Sequence, residues 1–458
     1  MSIIEMPEDE PWRPKNRIET SVTPREPVGG AAEALVYTGG RWRVFWIALS
    51  RMIVTILTLG VGRFWMTTRL RRHYWSSIRI GGEPLEYTGR AGEKLIGFLI
   101  AVVILAAYLM VVNLTLTFVG LSVFQGNLAA LQLPLLALIP FVPWAQYRAR
   151  RYILARTRWR GLRFGMVPGA WAYVGRSLLW GFLTLITLGF LYPLMQYRLA
   201  QFVAERSRYG DLAFEQRGGW IPLLKSWLWV WAPIPILAIV SLAIGGAYLG
   251  ADEIANIASG ENPFEGEGDD ANPFGVVAGV FGGVALVVVL YFWMIFAWVH
   301  HQVFSFRHIN SNRVLGGRAR IEFRLGVWPV IAIYLLAGFV IAIGVGVVAS
   351  LFAGLGFGVA TVFGLNPDGL AGLSEGGLPG LDAIVSLALV GVFYLPAIAT
   401  YIGLNHAFIT HPLIAEAARS ATVHDLDAAD AARQRAHDDQ AEAGGFADAL
   451  GADVGGAF

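Results

Sequence analysis

The feature that most constrains this chain is the length of its uncharged stretches. No charged side chain occurs between Lys94 and Arg148, and similar apolar stretches recur in the second half of the sequence. About 20 consecutive apolar residues cross the hydrocarbon core of a bilayer as a helix. Hydrophobic residues make up 55% of the chain and charged residues only 15%, whereas soluble domains carry about a quarter charged residues. The chain is therefore predicted to be an integral membrane protein.

The predicted fold class is an all-α polytopic membrane protein with six to eight transmembrane helices, arranged in repeated units with short cytoplasmic β segments. Six stretches are long and apolar enough to span, and they pair into three hairpins. These are residues 95–117, 128–147, 227–250, 275–299, 327–354 and 384–404.

Two further apolar segments, residues 42–65 and 170–195, leave the number of spans open. Basic residues flank both segments on both sides, and each contains an arginine, Arg51 or Arg176. An arginine at the centre of a span costs about 2.5–3.5 kcal/mol on insertion scales. We expect these segments to enter from the cytoplasmic face and turn back, or to lie in the interface. The alternative is that both are ordinary spans, which gives eight.

The distribution of Lys and Arg predicts the orientation. The predicted hairpin tips at 118–127, 251–274 and 355–380 contain no Lys or Arg, whereas segments such as 63–94 and 148–163 are rich in Arg. Positively charged residues near span ends stay on the cytoplasmic side. Both termini are therefore predicted to be cytoplasmic.

The chain also repeats itself. The sequence TILTLG at 55–60 matches TLITLG at 184–189, and the same register aligns Arg69 with Arg198. Each unit is predicted to contain an apolar helix, a basic helical exit and a short β segment, with a β-hairpin in IRIGGEPLEY at 78–87.

Four regions follow from this organisation. The predicted divisions are a polar tail at 1–34, a membrane repeat region at 35–225, two further transmembrane hairpins at 226–414 and an acidic, Ala-rich tail at 415–458.

Arginines near the apolar segments are the candidate functional residues. Ionisable residues inside membrane segments are functional candidates, although a headgroup anchor is an equally simple role for an arginine. Gly60 and Gly189 are the candidate hinges. The candidate contacts to an anionic ligand or a lipid headgroup are Arg51, Arg176, Arg69, Arg148 and Arg198.

Few residues indicate enzyme chemistry. The chain has no cysteine and no phosphate-binding P-loop, HExxH or plausible GxSxG motif, so no catalytic site, metal or cofactor is expected. The basic segments fit anionic lipids rather than nucleic acid. Small residues recur every four positions from Ala342 to Gly358, which fits close helix packing within one chain or in a homo-oligomer.

A resemblance to a known family adds to this interpretation. The order YTGGRWRVFWI, TILTLG, W-x-x-x-R-x-R-R-H-Y and GGEPLEYTGRAGE within residues 35–95 resembles the YjgN-like family of bacterial inner-membrane proteins, and the pattern recurs more loosely over 144–220. Arg51 and Arg63 depart from the pattern expected of that family. The resemblance implies a multi-pass location in the bacterial inner (plasma) membrane and no established activity.

Two functions remain open at this point. Internal repeats with helices broken at glycine are shared with transporters, which favours a transporter or channel for a small or amphipathic solute. The alternative is a non-catalytic scaffold that organises lipids. Polar residues inside the predicted spans are sparse, which counts against a hydrophilic substrate; they are Asn113, Gln132, Ser241 and Asn405.

Overall fold

The computed structural model describes residues 33–123, 138–235, 239, 273–362 and 394–435. The helices are α1 (Arg41–Leu57), α2 (Arg63–Ser77), α3 (Ala91–Val123), α4 (Phe141–Ala155), α5 (Ala170–Ile186), α6 (Tyr192–Arg206), α7 (Ile221–Trp231), α8 (Pro273–Ser311), α9 (Val327–Val362), α10 (394–405), a π-helical turn (His406–Thr410), α11 (His411–Arg419) and α12 (Asp427–Asp430).

Short strands separate these helices. They are β1 (Glu33–Ala34), β2 (Val36–Tyr37), β3 (Ile78–Ile80), β4 (Glu83–Pro84), β5 (Glu86–Tyr87), β6 (Thr157–Trp159), β7 (Leu162–Met166), β8 (Ser207–Tyr209), β9 (Leu212–Gln216), β10 (Arg313–Leu315), β11 (Ala319–Phe323) and β12 (Ala421–His424). Nine of them form one sheet in the order β1-β12-β11-β10-β9-β8-β7-β6-β5, and β2-β3-β4 form a second sheet.

The sheets hold the two ends of each helical segment together. The strand that precedes the segment pairs with the strand that follows it. The pair β2–β3 brackets α1 and α2, and β7–β8 brackets α5 and α6. The pairs β5–β6, β9–β10 and β11–β12 bracket the three longer segments. All five segments therefore leave and return to the same side of the molecule.

Two-residue turns close the β-hairpins between the helices. Both residues have positive φ at Gly81–Gly82, at Arg160–Gly161 and at Gly316–Gly317. Positive φ at both central residues defines the type I′ turn, whose twist matches that of the flanking strands. The β-hairpin predicted within residues 78–87 is present, with Ile80 opposite Glu83.

The predicted fold class is wrong. The chain is not all-α, because the strands assemble into a nine-stranded and a three-stranded sheet. The count of six to eight transmembrane helices is also wrong: in the part of the chain that the structure describes, three helical stretches are long and apolar enough to cross a membrane, Ala91–Val112, Ala285–Ser311 and Val327–Gly356. The strands are only two to five residues long, so local sequence carries little of the signal that pairs them across the chain.

Several predicted segments fall partly or wholly outside the described residues. These are the tail at 1–32, the predicted span portions 128–137, 236–250 (apart from 239) and 384–393, most of the three predicted hairpin tips, and the end of the chain at 436–458. The parts of the predicted spans at 95–117, 275–299 and 327–354 are helical in α3, α8 and α9.

The segments 42–65 and 170–195 turn back. The first forms α1 and the start of α2, and the second forms α5 and the start of α6. Since β2 pairs with β3, Val36 lies opposite Arg79, and both ends of Arg41–Ser77 meet one sheet. Since β7 pairs with β8, Phe164 lies opposite Tyr209. We call Arg41–Ser77 the first hairpin and Ala170–Arg206 the second hairpin.

The beginning of the acidic tail packs on the nine-stranded sheet. Ala429 in α12 lies in one buried cluster with Trp159 and Tyr209. Further along, the backbone N–H of Arg433 donates a hydrogen bond to the Asp211 carboxylate at 2.8 Å. The tail thus covers the turns of two adjacent β-hairpins.

Candidate functional site: an arginine groove on the second hairpin

The second hairpin turns at Thr187–Leu188–Gly189. Leu188 has φ 50° and Gly189 has φ 87°, which places both in left-handed conformations. The Gly189 N–H donates to the Thr184 carbonyl at 2.7 Å, and the Thr187 hydroxyl donates to the Leu183 carbonyl at 2.9 Å. The turn therefore forms hydrogen bonds to its own backbone carbonyls, and it directs α6 back along α5.

The first hairpin has the same turn. Leu59 has φ 49° and Gly60 has φ 95°, and the Gly60 N–H donates to the Thr55 carbonyl at 2.7 Å. The Thr58 hydroxyl donates to the Val54 carbonyl at 2.7 Å. The two predicted hinges, Gly60 and Gly189, thus occupy the same position in two equivalent turns.

A groove of about 450 Å³ lies between the two helices of the second hairpin, at the end of the hairpin that adjoins β7 and β8. Its lining combines three guanidinium groups, one carboxylate, one amide and two aromatic rings. We call it the arginine groove; it is lined by Arg176, Trp180, Arg198, Gln201, Phe202, Glu205 and Arg206.

Two guanidinium groups converge on one ring in this groove. The Cζ atoms of Arg206 and Arg176 lie 3.6 and 4.5 Å from the centroid of Phe202. A cation over an aromatic face gains about 0.5–1 kcal/mol at an exposed site. The Phe202 ring therefore contacts two positively charged groups, one from each helix of the second hairpin.

The remaining polar groups form a chain along α6. Arg198 Nη1 donates to Gln201 Oε1 at 3.4 Å, and Gln201 Nε2 donates to Glu205 Oε1 at 2.9 Å. The Glu205 carboxylate thus accepts a hydrogen bond from the Gln201 amide. With three arginines and one glutamate, the groove carries excess positive charge and many N–H donors, which suits a phosphate or another multidentate anion.

The structure brings together two of the five predicted arginines, Arg176 and Arg198. Arg51 and Arg69 both lie in the first hairpin, where Arg69 is exposed and Arg51 is half-buried. The Arg51 carbonyl accepts the Thr55 hydroxyl at 2.8 Å. Arg148 lies apart from both hairpins' turns, in α4.

Arg148 has its own environment. Its guanidinium stacks on Trp144, 5.2 Å from the ring centroid. Burial, followed by repulsion from Arg151, lowers the pKa of Arg148. It is thus packed in the middle of α4 and is not among the residues that line the arginine groove.

Sequence reasoning missed Arg206 and the groove's polar residues. Arg198, Phe202 and Arg206 follow at four-residue spacing along α6, and that spacing places them on one helix face. The periodicity could have revealed this stripe. It could not have revealed that Arg176 faces the stripe from the other helix.

Two other polar features fit a site less well. His301 lies between Ser226 and Ser305, with its Nδ1 2.8 Å from the Ser226 hydroxyl, but its side chain is completely buried, so no substrate can reach this pair. A second groove of about 470 Å³ between α7 and α8 is lined by apolar and aromatic residues only. Within the described residues, no group of three His, Cys, Asp or Glu is placed to hold a metal ion.

Comparison with known proteins identifies relatives of this chain. The family model described as "Bacterial protein of unknown function (DUF898)" matches residues 32–449. The inner membrane protein YjgN of Salmonella typhimurium is 25% identical over 143 residues, which is 31% of this chain and 33% of that protein. The inner membrane protein YjgN of Escherichia coli O157:H7 matches to the same extent. The resemblance predicted from residues 35–95 is confirmed. No solved structure matches.

Proposed function

Since this chain belongs to the bacterial protein family of unknown function DUF898, and its curated relatives are named inner membrane proteins, we propose that it binds the anionic headgroups of membrane lipids in the arginine groove. The role is that of a membrane protein that holds or organises lipids. The observation that carries this proposal is the convergence of Arg176, Arg198 and Arg206 on one open groove that contains a single carboxylate.

The depth of the groove supports a lipid headgroup. At 1.5 Å per residue, Arg176 lies about 15 Å along α5 from its last residue, Ile186. Half of a hydrocarbon core is also about 15 Å thick. If the turn reaches the middle of the bilayer, the guanidinium groups lie at the level of the phosphates.

Transport is the weaker candidate. A hydrophilic path needs polar side chains that face one another between helices. In the described part of the three long apolar helices, the outward surfaces are large hydrophobic residues such as Val103, Val289 and Leu335. No feature of the described residues favours a solute path over lipid binding.

The test is lipid retention by the full-length protein. Native mass spectrometry compares wild type with Arg176→Gln/Arg198→Gln/Arg206→Gln after exchange into phosphatidylglycerol or phosphatidylcholine. At about 1 kcal/mol for each arginine near anionic lipid, the triple variant is expected to bind phosphatidylglycerol about a hundredfold more weakly. Retention of phosphatidylcholine is expected to stay unchanged.

The matched control is Arg69→Gln, because Arg69 aligns with Arg198 and lies exposed on the first hairpin. It is compared with Arg198→Gln alone. Competition with inorganic phosphate distinguishes a free anion from a headgroup: displacement by phosphate at low concentration assigns the groove to a soluble ligand. Equal phosphatidylglycerol retention by wild type and the triple variant would disprove the proposal.

We also propose a multi-pass topology in which the sheets and both termini face the cytoplasm. The support is the distribution of Lys and Arg, which the hairpin tips at 118–127, 251–274 and 355–380 lack. The chain has no cysteine, so single cysteines at Ser76, Arg160 and Asp211 can be compared with cysteines at 122, 260 and 370. An impermeant reagent outside the cell should label only the second set.

A repeated origin of the two hairpins is part of the same proposal. The support is their common turn, in which Leu59 and Leu188 adopt the same left-handed conformation. The return helix of each hairpin also leads directly into a strand, β3 or β8. On this proposal the two hairpins are copies of one repeat, and the side chains that form the arginine groove occur in the second copy.

A further inference from the structure

The tips of both hairpins expose large apolar side chains. Leu59 is 97% exposed and Leu188 is 81% exposed, and both have a positive φ. Bulky residues rarely adopt this conformation, which glycine or asparagine usually occupies. The chain thus holds a leucine, in a costly backbone conformation, at the point of each hairpin farthest from the sheets.

The residues around each tip extend the apolar surface. Near Leu59 they are Leu57 and Val61, which are 77% and 42% exposed; near Leu188 they are Leu185 and Ile186, which are 74% and 61% exposed. A contiguous exposed patch of this kind marks an interaction surface. We propose that both tips insert into the acyl chains of a single leaflet, the one nearest the sheets.

The first tip lies beside a helix that is long and apolar enough to cross the membrane. Phe64, two residues after Gly62, has its ring centroid 5.3 Å from that of Phe98 in α3. Phe64 is almost completely buried, in a cluster with Ala91. The return helix of the first hairpin therefore packs against the candidate span Ala91–Val112, five residues after Leu59.

The second tip lies beside another such helix. Tyr192, at the start of α6, has its ring centroid 6.2 Å from that of Trp298 in α8. Trp298 belongs to the apolar stretch Ala285–Ser311. The two tips are thus each adjacent to a candidate span, which identifies the bilayer as the medium that covers their leucines.

The backbone of the second tip is prepared for an apolar medium. The indole N–H groups of Trp227 and Trp231 donate to the carbonyls of Gly189 and Leu188 at 3.0 and 3.1 Å. A carbonyl in hydrocarbon must be satisfied within the protein because no water is available there. Two tryptophans that cap consecutive turn carbonyls meet that requirement.

The hairpins are too short to reach the other face of the membrane. Arg51 lies six residues, or about 9 Å, from Leu57 at the end of α1, and Arg176 lies about 15 Å from Ile186. Arginine side chains reach headgroups from such positions. The arginines therefore limit insertion to about the depth of one leaflet, roughly 15 Å of hydrocarbon.

Depth-dependent quenching tests this inference on the full-length protein. Bimane is attached to single cysteines at Leu59 or Leu188, with Val103→Cys in α3 as the membrane control and Glu83→Cys in β4 as the aqueous control. The protein is reconstituted in phosphatidylcholine vesicles that contain lipids brominated along the acyl chain. Bimane at 59 and 188 is expected to emit at shorter wavelength and to lose most of its intensity to bromine, as at 103.

The opposite result is equally clear. If bimane at 59 and 188 is quenched by aqueous iodide as strongly as at 83, and is unaffected by brominated lipid, the tips do not insert. Because phosphatidylcholine vesicles carry no net charge, tip insertion is measured without the anionic lipid that the arginine groove is proposed to bind. Failure of one proposal is therefore separate from failure of the other.

Discussion

The two helical hairpins share a backbone and differ in the side chains that cover it. Their turns have the same dihedral angles and the same hydrogen bonds from glycine and threonine. In the register that aligns the turns, Arg176 corresponds to Ile47 and Phe202 corresponds to His73. The pair of guanidinium groups around Phe202 therefore comes from sequence, and the hairpin fold does not produce it by itself.

Their neighbours differ as well. The first hairpin packs through Val44, Leu70 and Tyr74 against Ile414 of α11. The second packs through Tyr173 and other residues against α4 and β7. Helix α11 therefore covers one side of the first hairpin. The side of the second hairpin that carries the arginines forms an open groove. The same turn architecture is therefore covered by neighbouring helices in one hairpin and carries an open groove lined by arginines in the other.

The largest expected effect is a loss of stability that is confined to the first hairpin. Phe64→Ala should destabilise the fold by about 3 kcal/mol, because a buried phenylalanine is replaced by a cavity. Hydrogen exchange in detergent is expected to rise in the peptides of 41–77 and to stay nearly constant in those of 170–206. Leu59→Ala is the control, since an exposed side chain should cost less than about 0.5 kcal/mol in detergent. Equal increases in both hairpins would show that they are not independently anchored.

A smaller effect should be confined to the second hairpin. Trp231→Phe removes the indole donor to the Leu188 carbonyl and keeps an aromatic ring, so it should cost about 1 kcal/mol. The amides of the turn at 187–191 are expected to exchange faster, and those at 58–62 to remain unchanged. Trp42→Phe, an exposed tryptophan of the first hairpin, provides the comparison. If both substitutions act alike, the indole hydrogen bond does not stabilise the turn.

The smallest effect is the part of the pH dependence that comes from His73 in the first hairpin. Burial, then Arg43 and His411, lowers the pKa of His73 below its usual 6.5. The unfolded chain therefore binds this proton first as the pH falls, so stability is full above about pH 6.5 and declines as pH decreases towards the folded pKa. The melting temperature in detergent should be lower at pH 5.5 than at pH 7.5.

His73→Phe, which introduces the residue found at the equivalent place in the second hairpin, should weaken this dependence. Some dependence should remain, because burial also lowers the pKa of His411 and lowers that of His406 to about 4. At pH 5.5, the difference in hydrogen exchange between wild type and His73→Phe should lie within the peptides of 41–77. An unaltered pH profile in the variant would exclude His73 as its source.

Much of the membrane-facing architecture followed from local patterns. The repeated T-L-G and its flanking arginines favoured segments at 42–65 and 170–195 that turn back or lie in the interface over ordinary spans, because a mid-span arginine is unfavourable and glycine permits a sharp turn. The Gly-Gly pair at 81–82 predicted the β-hairpin that follows α2. Each of these signals lies within a few residues of the structure that it determines.

The pairing order of the sheets and the residues of the groove could not be predicted from such local patterns. Thr157 pairs with Tyr87, and Ile321 pairs with Val423, so the pairs that join one β-hairpin to the next connect strands separated by a long helical segment. Such short strands carry little propensity of their own. The all-α prediction failed because the pairing energy is non-local.

The sequence by itself determined that this chain belongs in a membrane, that its charges are asymmetric and that two apolar helices end in glycine turns. Hydrophobicity, charge and glycine content act locally, so they can be read along the chain. Only the tertiary structure decided that every helical segment returns to common sheets and that Arg176 meets Arg198 and Arg206 in one groove. Those relations depend on which strands pair and which helix faces meet, and antiparallel packing across α5 and α6 sets them.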